Sequence, residues 1–430
     1  MRKLISIITI LLLVSVFSSS CSSIGIGKKE KKMITIKMLT ESKAKSADLM
    51  KHLKEKFPRI NFQVTDFETV WSKEFTPHEE RIERAREIIA EEKPDFYYGF
   101  DPKWYKEDIQ LVDLTLLINQ EQTQFNEIQQ NMIESATNDD GTLYFISATF
   151  DREVLFINRA LFQKNGVPEP VNPMTFDELR KSAKLINEKN PGLFGYELQQ
   201  KEWLFTLMQV GRKFLGFKFI NDNGQLMIDQ PEWRDLAQQL LDDYKSKIMR
   251  DEDTRLQKAD RKRIALNPGY ASDLYSYLSV KATADTLSIV DVPTDPSNPI
   301  ANPFILTSPF SIVPSSNYIK EIWEVISYLM TEEAALEISN KRLMSGFVTY
   351  PGMAPIGDFT IQSFAGKVSG NKINESFFLT QEAYKKMNNA MEEQFQAYIQ
   401  ETSDFDTIWA AIEKGVKEIN LDSSNFKSAP

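Results

Sequence analysis

The sequence predicts an α/β protein folded as two lobes, and three observations carry that expectation. The chain has 430 residues, more than one ordinary hydrophobic core organises. Residues 33–99 alternate strand-type and helix-type segments, the rhythm of a mostly parallel sheet covered by helices. Residues 143–158 (LYFISATFDREVLFIN) then join two apolar runs across a short polar interruption. A chain crossing from one lobe to the other would look like this, and the elements beyond it follow a different order.

Residues 33–39 (MITIKML) alternate and read as the first strand. Residues 44–57 are helical, and Pro58 stops them. A second strand covers 60–67. Residues 78–92 (HEERIERAREIIAEE) form a charged helix with Ile82, Ala85, Ile88 and Ile89 on one face. The third strand is 94–99. Residues 100–117 are loop and short helix, 120–137 helix, and Asn138-Asp139-Asp140-Gly141 a turn. Residues 143–147 and 154–158 read as strands, the second buried on both faces because it is almost wholly apolar. A short helix at 160–165 ends at Gly166. Thr175 and Glu178 form a capping box that opens a helix to 188. Residues 194–198 are a strand, and 202–215 an apolar helix. A hairpin joins 217–220 and 225–228. An amphipathic helix covers 230–248. The strand at 263–267 is expected to stop at Pro268-Gly269, with a helix at 271–281 and a strand at 286–292. A loop with four prolines covers 291–303. Residues 304–313 return as one strand, followed by helices at 318–330 and 332–341. Residues 343–357 are irregular, and helices at 380–398 and 404–420 close the chain.

The formal net charge is −10. An acidic chain argues against nucleic acid as partner, since phosphate contacts need Lys/Arg patches. Cys21 is the only cysteine and His52 and His78 the only histidines. That leaves no disulfide within the chain, no Cys/His metal set and no nucleophile–histidine pair. Gly25 and Gly27 lie in a polar stretch and lack the rest of a dinucleotide fingerprint. Asp139, Asp140 and Asp222 read as turn acids, off the spacing of a calcium loop. No metal and no cofactor are expected.

Arg2 and Lys3 precede an apolar run at 4–17, shorter than the ~20 residues that span a bilayer. Small residues Ser18-Ser19-Ser20 stand directly before Cys21. This is the pattern of a secretory signal over residues 1–20. It resembles a bacterial lipobox, with Ser18 where an aliphatic residue is usual. The resemblance implies acylation of Cys21 and palmitate-type anchoring to the cell membrane. Residues 22–32 (SSIGIGKKEKK) read as a tether.

From Phe57 onward a series of landmarks appears in order. Phe57-Pro58 precedes Ile60, and Lys93-Pro94-Asp95 leads into the third strand. Phe156-Ile157-Asn158 is followed by Leu161-Phe162, Gly166 and Met174-Thr175-Phe176-Asp177-Glu178-Leu179. RIALNPGY occupies 263–270, and Val313-Pro314-Ser315-Ser316 precedes two helices. Over 33–420 the chain resembles the extracellular solute-binding proteins of ABC importers, the family that includes maltose-binding protein. The resemblance implies a two-lobed, type II periplasmic-binding-protein-like fold with three hinge crossings, near 147–152, 304–310 and 344–350. It implies a first lobe of 33–148 plus 308–345 and a second of 149–307 plus 346–430. It also implies a monomer that binds a small polar solute, a sugar by preference, and docks on ABC permease subunits. A peptide or organic anion is the variant within that class. A surface sensor lipoprotein and a glycoside-active surface enzyme are the readings from other classes.

Loops at the carboxyl ends of strands should line the cleft. They offer Glu41, Tyr98, Asp101, Asp151, Arg152 and Tyr270. Asp151 stands where sugar-binding relatives place an acid, and a carboxylate there accepts charge-assisted hydrogen bonds from hydroxyls. The other readings have Asp151 pair with Arg152 or cap a turn, and make Arg152 an anion-binding group or half of a hinge ion pair. Trp203 and Tyr270 offer flat apolar faces to a sugar ring. Tyr350, with Phe347, lies in the third crossing. Trp71, Trp104, Trp233, Trp323 and Trp409 read as structural.

Overall fold

The computed structural model describes residues 32–428 except 72–77, 106–107, 199–201, 251–259, 279–285, 298, 300, 354, 356–357, 367 and 369–376. The expected leader, Cys21 and the tether up to residue 31 lie outside the described residues.

Strands β1 (Ile34–Thr40), β2 (Ile60–Asp66) and β3 (Phe96–Tyr98) alternate with helices α1 (Lys43–Lys56) and α2 (His78–Glu92). β1 pairs in parallel with β2 on one side and β3 on the other. Side chains alternate across the strand, so Ile36 and Met38 enter one core while Leu39 enters another with Ala85, Ile88 and Ile89 of α2.

A short helix, α3 (Leu114–Gln120), ends the stretch read as loop and short helix, and the helix expected at 120–137 starts later, as α4 (Glu127–Ala136). Gln122 between them sits at φ 49°, outside helical space. Asn126 and Gln129 cap α4 reciprocally, a start signal that the apolar pattern masks. The expected strand at 143–147 is also corrected. Only Ile146 pairs, through a single bridge to Phe310, because Leu143 is held instead by Asp113 and Leu114.

β4 (Thr149–Asp151) runs into β5 (Glu153–Asn158), followed by α5 (Arg159–Asn165) and α6 (Phe176–Lys189). Thr175 and Glu178 cap α6 reciprocally. Thr175→Ala is expected to lower stability by about 1 kcal/mol, read from the urea midpoint at unchanged slope. A Thr175→Ser chain should keep the cap, and its failure to do so would separate the loss from the hydroxyl.

Next come β6 (Phe194–Glu197) and α7 (Trp203–Met208), which widens into a π-helical turn over Gln209–Phe214. A Cβ on Gly211 in that turn would lie 2.4 Å from the Trp233 ring. Then follow α8 (Pro231–Lys245), β7 (Met249–Arg250), β8 (Ile264–Tyr270) and β9 (Leu287–Asp291). The sheet order is β7-β6-β8-β5-β9. β5 is paired on both edges and shared between two cores, with Leu155 and Ile157 in one and Val154 and Phe156 in the other. Its unbroken apolar run follows from that position. β8 does not stop at Pro268. Its pairing with β6 ends at Leu266, and beyond that, among the described residues, only β5 flanks it. A residue without an N–H is tolerated where one edge is unpaired.

The expected single strand at 304–313 is two, β10 (Ile305–Leu306) and β11 (Phe310–Ile312). They enter different sheets, β11 closing the first in the order β11-β3-β1-β2. Helices α9 (Ile319–Leu329) and α10 (Glu332–Lys341) lead to β12 (Phe347–Val348). β13 (Phe377–Leu379), α11 (Gln381–Ile399), α12 (Phe405–Asn420) and β14 (Phe426–Ser428) close the chain. Trp233 and Trp409 fill the second core and Trp323 the first.

Candidate functional site

Three short strands form a sheet of their own, in the order β10-β4-β12, apart from the two larger sheets. They are the three segments expected as crossings. Ile305 and Leu306 face Asp151 and Phe150, and Phe347 and Val348 face Phe150 and Thr149. One face of this sheet is aromatic. Phe150, fully buried, packs 5.1 Å from Phe304 and 6.1 Å from Phe347, which stacks on Phe364 at 5.2 Å. The other face is polar, with Thr149 Oγ1 2.8 Å from Thr307 Oγ1. Gly346 enters β12 at φ 84°, and a Cβ there would lie 2.6 Å from the Phe150 carbonyl oxygen.

Asp151 is 7% exposed. Its Oδ1 accepts from Arg152 N at 2.8 Å and Ser272 N at 3.1 Å, and its Oδ2 accepts from Ser272 Oγ. Three donors leave about one of the roughly four acceptor positions of a carboxylate. Burial raises the Asp151 pKa, with the Ser272 and Arg152 hydrogen bonds acting in the opposite direction. The hinge ion pair does not form. Arg152 Nη1 donates to Gly366 O at 3.0 Å, and its guanidinium lies 5.6 Å from the Phe304 ring centre. Burial lowers the Arg152 pKa, against the pull of Asp291.

Tyr270 joins this cluster. It pairs with Glu153 across β5 and β8, and Ala271 N donates to Arg152 O at 2.8 Å. The residue is 43% exposed. Burial of its remainder raises its pKa first, and Glu153, Asp151 and Asp273 add to this. Asp151, Arg152 and Tyr270 are therefore brought together. Tyr98 lies at the end of β3, buried against Phe310 at 4.8 Å. Asp101 caps a short turn by accepting from Lys103 N at 2.8 Å, and burial raises its pKa. Glu41 is exposed after β1 and adds its charge beside Tyr105. Tyr350 hydrogen-bonds Glu332, which raises its pKa. Trp203 stands apart from the cluster, packed edge-on against Tyr244 and Phe395.

A cavity of about 520 Å³ opens between the end of α4 and residues Glu153, Lys213, Asn302 and Ile305. None of the expected contact residues lines it. Ser272, which anchors Asp151, was missed in sequence; the Ser272-Asp273 pair after Tyr270 is a helix-start signal that could have found it. Glu197, 1% exposed at the end of β6, was also missed. No group of His, Cys, Asp and Glu among the described residues could hold a metal ion. No described helix is long and apolar enough to cross a membrane.

Tyr97, Tyr98 and Tyr105 all lie in the first lobe's strand-end region, and burial pushes each up to about 12. An unfolded tyrosine titrates near ~10. The folded chain therefore holds these protons longer, and stability present below pH ~10 is lost as pH rises from ~10 to ~12. Phenolate absorbance should rise in an early and a late wave, with Tyr98→Phe removing amplitude from the late one. A single wave would refute the shifts.

The sequence profile described as bacterial extracellular solute-binding protein matches residues 83–336, more than half of the chain. The chain belongs to that family. An ABC substrate-binding protein from Listeria monocytogenes, solved with cycloalternan, shares 16% identity over 90% of this chain and 98% of that one, with a TM-score of 0.56. An extracellular solute-binding protein family 1 from Alicyclobacillus acidocaldarius shares 14% identity over 92% and 100%, with a TM-score of 0.63. Maltose-bound MalE3 of T. maritima shares 16% over 90% and 99%, at 0.55. No curated protein matches the sequence. The fold is thus the two-lobed one of the family, its three crossings gathered in the β10-β4-β12 sheet, and the family places it outside the cytoplasm.

Proposed function

We propose that this chain is a lipid-anchored receptor that captures a carbohydrate between its lobes and hands it to an ABC permease. The observation that carries this reading is the small sheet of three crossings, which gives the two larger sheets a common axis for closure. A sugar is favoured because relatives of the same fold were solved with cycloalternan and maltose. Tyr270, half exposed beside the Asp151 cluster, offers a ring to stack on, Glu41, Asp101 and Tyr350 offer polar groups, and Tyr98, buried at the end of β3, adds less. Arg152 and Trp203 are the weaker contacts, since both are engaged by their own lobe. Binding energy that differs between open and closed forms drives closure, and the closed form is what the permease engages. Cys21, following a secretory leader, supplies the anchor. The receptor acts as a monomer and performs no covalent chemistry.

Thermal unfolding against a library of mono- and oligosaccharides, polyols and peptides tests this. A solute at ~100 times its dissociation constant adds ~2.7 kcal/mol of stability. The expected outcome is a shift with a saccharide. A shift with peptides alone would redirect the substrate class, and no shift with any solute would overturn the receptor reading.

A further inference from the structure

We infer that the groove between α1 and β2 is a strand-addition site for an extended peptide segment that carries acidic side chains at alternate positions. It lies outside the hinge cluster and does not depend on the solute. β2 is the edge of the first sheet, paired in register with β1 along all seven of its residues and with no strand on its other side among the described residues. Such an edge offers unused N–H and C=O groups to an incoming strand. A groove of about 930 Å³ runs between this strand and α1. Phe62, Val64 and Met50 form apolar wall, and Ala44 and Ala47 on α1 leave room above it.

Charge selects the occupant. Lys43, Ala47, Lys51 and Lys54 follow at helical spacing, all exposed and all on the groove wall. Among the described residues none of these three lysine side chains has an ion-pair or hydrogen-bond partner. Glu55 is the single carboxylate among the lining residues. On a chain with net charge −10 this row is a local reversal of sign. Its length matches a strand. Eleven helical steps from Lys43 to Lys54 span ~16 Å, and three carboxylates at alternate strand positions span ~13 Å. The side chains between them would point to the opposite face, beside the exposed Asn61 and Gln63.

The test titrates the purified full chain into a fluorescent peptide of alternating Glu and Val, seven residues long. The expected result is saturable binding that weakens with salt, with no binding of the Lys/Val counterpart. The K51E/K54E chain should bind at least tenfold more weakly. So should a peptide N-methylated at every second amide, whose charges are unchanged. Equal binding by the N-methylated peptide would reduce the contact to charge attraction and overturn strand addition. Unchanged binding by K51E/K54E would move the site elsewhere. Absence of saturable binding would overturn the proposal, and a K51Q/K54Q chain that associates with itself would then assign the lysines to guarding the edge.

Discussion

Gly346→Ala is expected to destabilise the chain by about 3 kcal/mol. Two costs add. An alanine at φ 84° carries about 1–2 kcal/mol of strain that glycine avoids. Its Cβ would also stand 2.6 Å from the Phe150 carbonyl and 2.7 Å from Thr307 Oγ1. The carbonyl is backbone of the central hinge strand and has no rotamer to retreat into, which adds about 1–3 kcal/mol. Gly141→Ala is the control, because it has φ 85° and nothing within 4 Å of the added carbon. It should cost only the strain. Urea unfolding of both chains at matched slopes separates the terms. Equal losses would show that close approach at the hinge is not a constraint. The change should also displace the open–closed balance, since it wedges β12 away from β4.

Asp151→Ala is the second. It removes the acceptor from Ser272 N, Ser272 Oγ and Arg152 N at once. Buried donors left without partners cost about 1–3 kcal/mol each before relaxation, so a net loss of about 3 kcal/mol is expected. Ser272→Ala removes one donor and leaves the carboxylate, and should cost about 1 kcal/mol. Solute affinity distinguishes two roles. If the free acceptor position on Oδ2 takes a hydroxyl of the solute, Asp151→Ala weakens binding by tenfold or more while Ser272→Ala weakens it little. If Asp151 only ties β4 to the turn after β8, both changes weaken binding in proportion to the stability they remove. Calorimetric titration with the solute found by thermal screening reads the difference.

The elements that sequence disclosed best are those whose signals are local. The α6 cap needs only Thr175 and Glu178, and the burial of β5 is written in its own apolar run. Local signals failed where partners are remote. Residues 304–313 look like one strand because nothing within them says that 305–306 and 310–312 join different sheets. Pro268 looks like a stop because the sequence does not show that its open edge faces no strand. The candidate site has the same limit. The position of Asp151 at a crossing was legible, but its partner Ser272 lies 121 residues on. The aromatic face under it is assembled from Phe150, Phe304, Phe347 and Phe364, four separate stretches of chain.

That dispersal governs how the molecule comes into being. Ribosomal synthesis delivers β4 long before β10 and β12, so its central hinge strand waits with both edges bare until the chain has passed residue 348. The core around Trp233 waits longer, for Met387, Phe395, Trp409 and Ile412 of the last two long helices. Closing such distant contacts costs loop entropy before any burial rewards it. The second core is therefore expected to be completed only once α12 has been made.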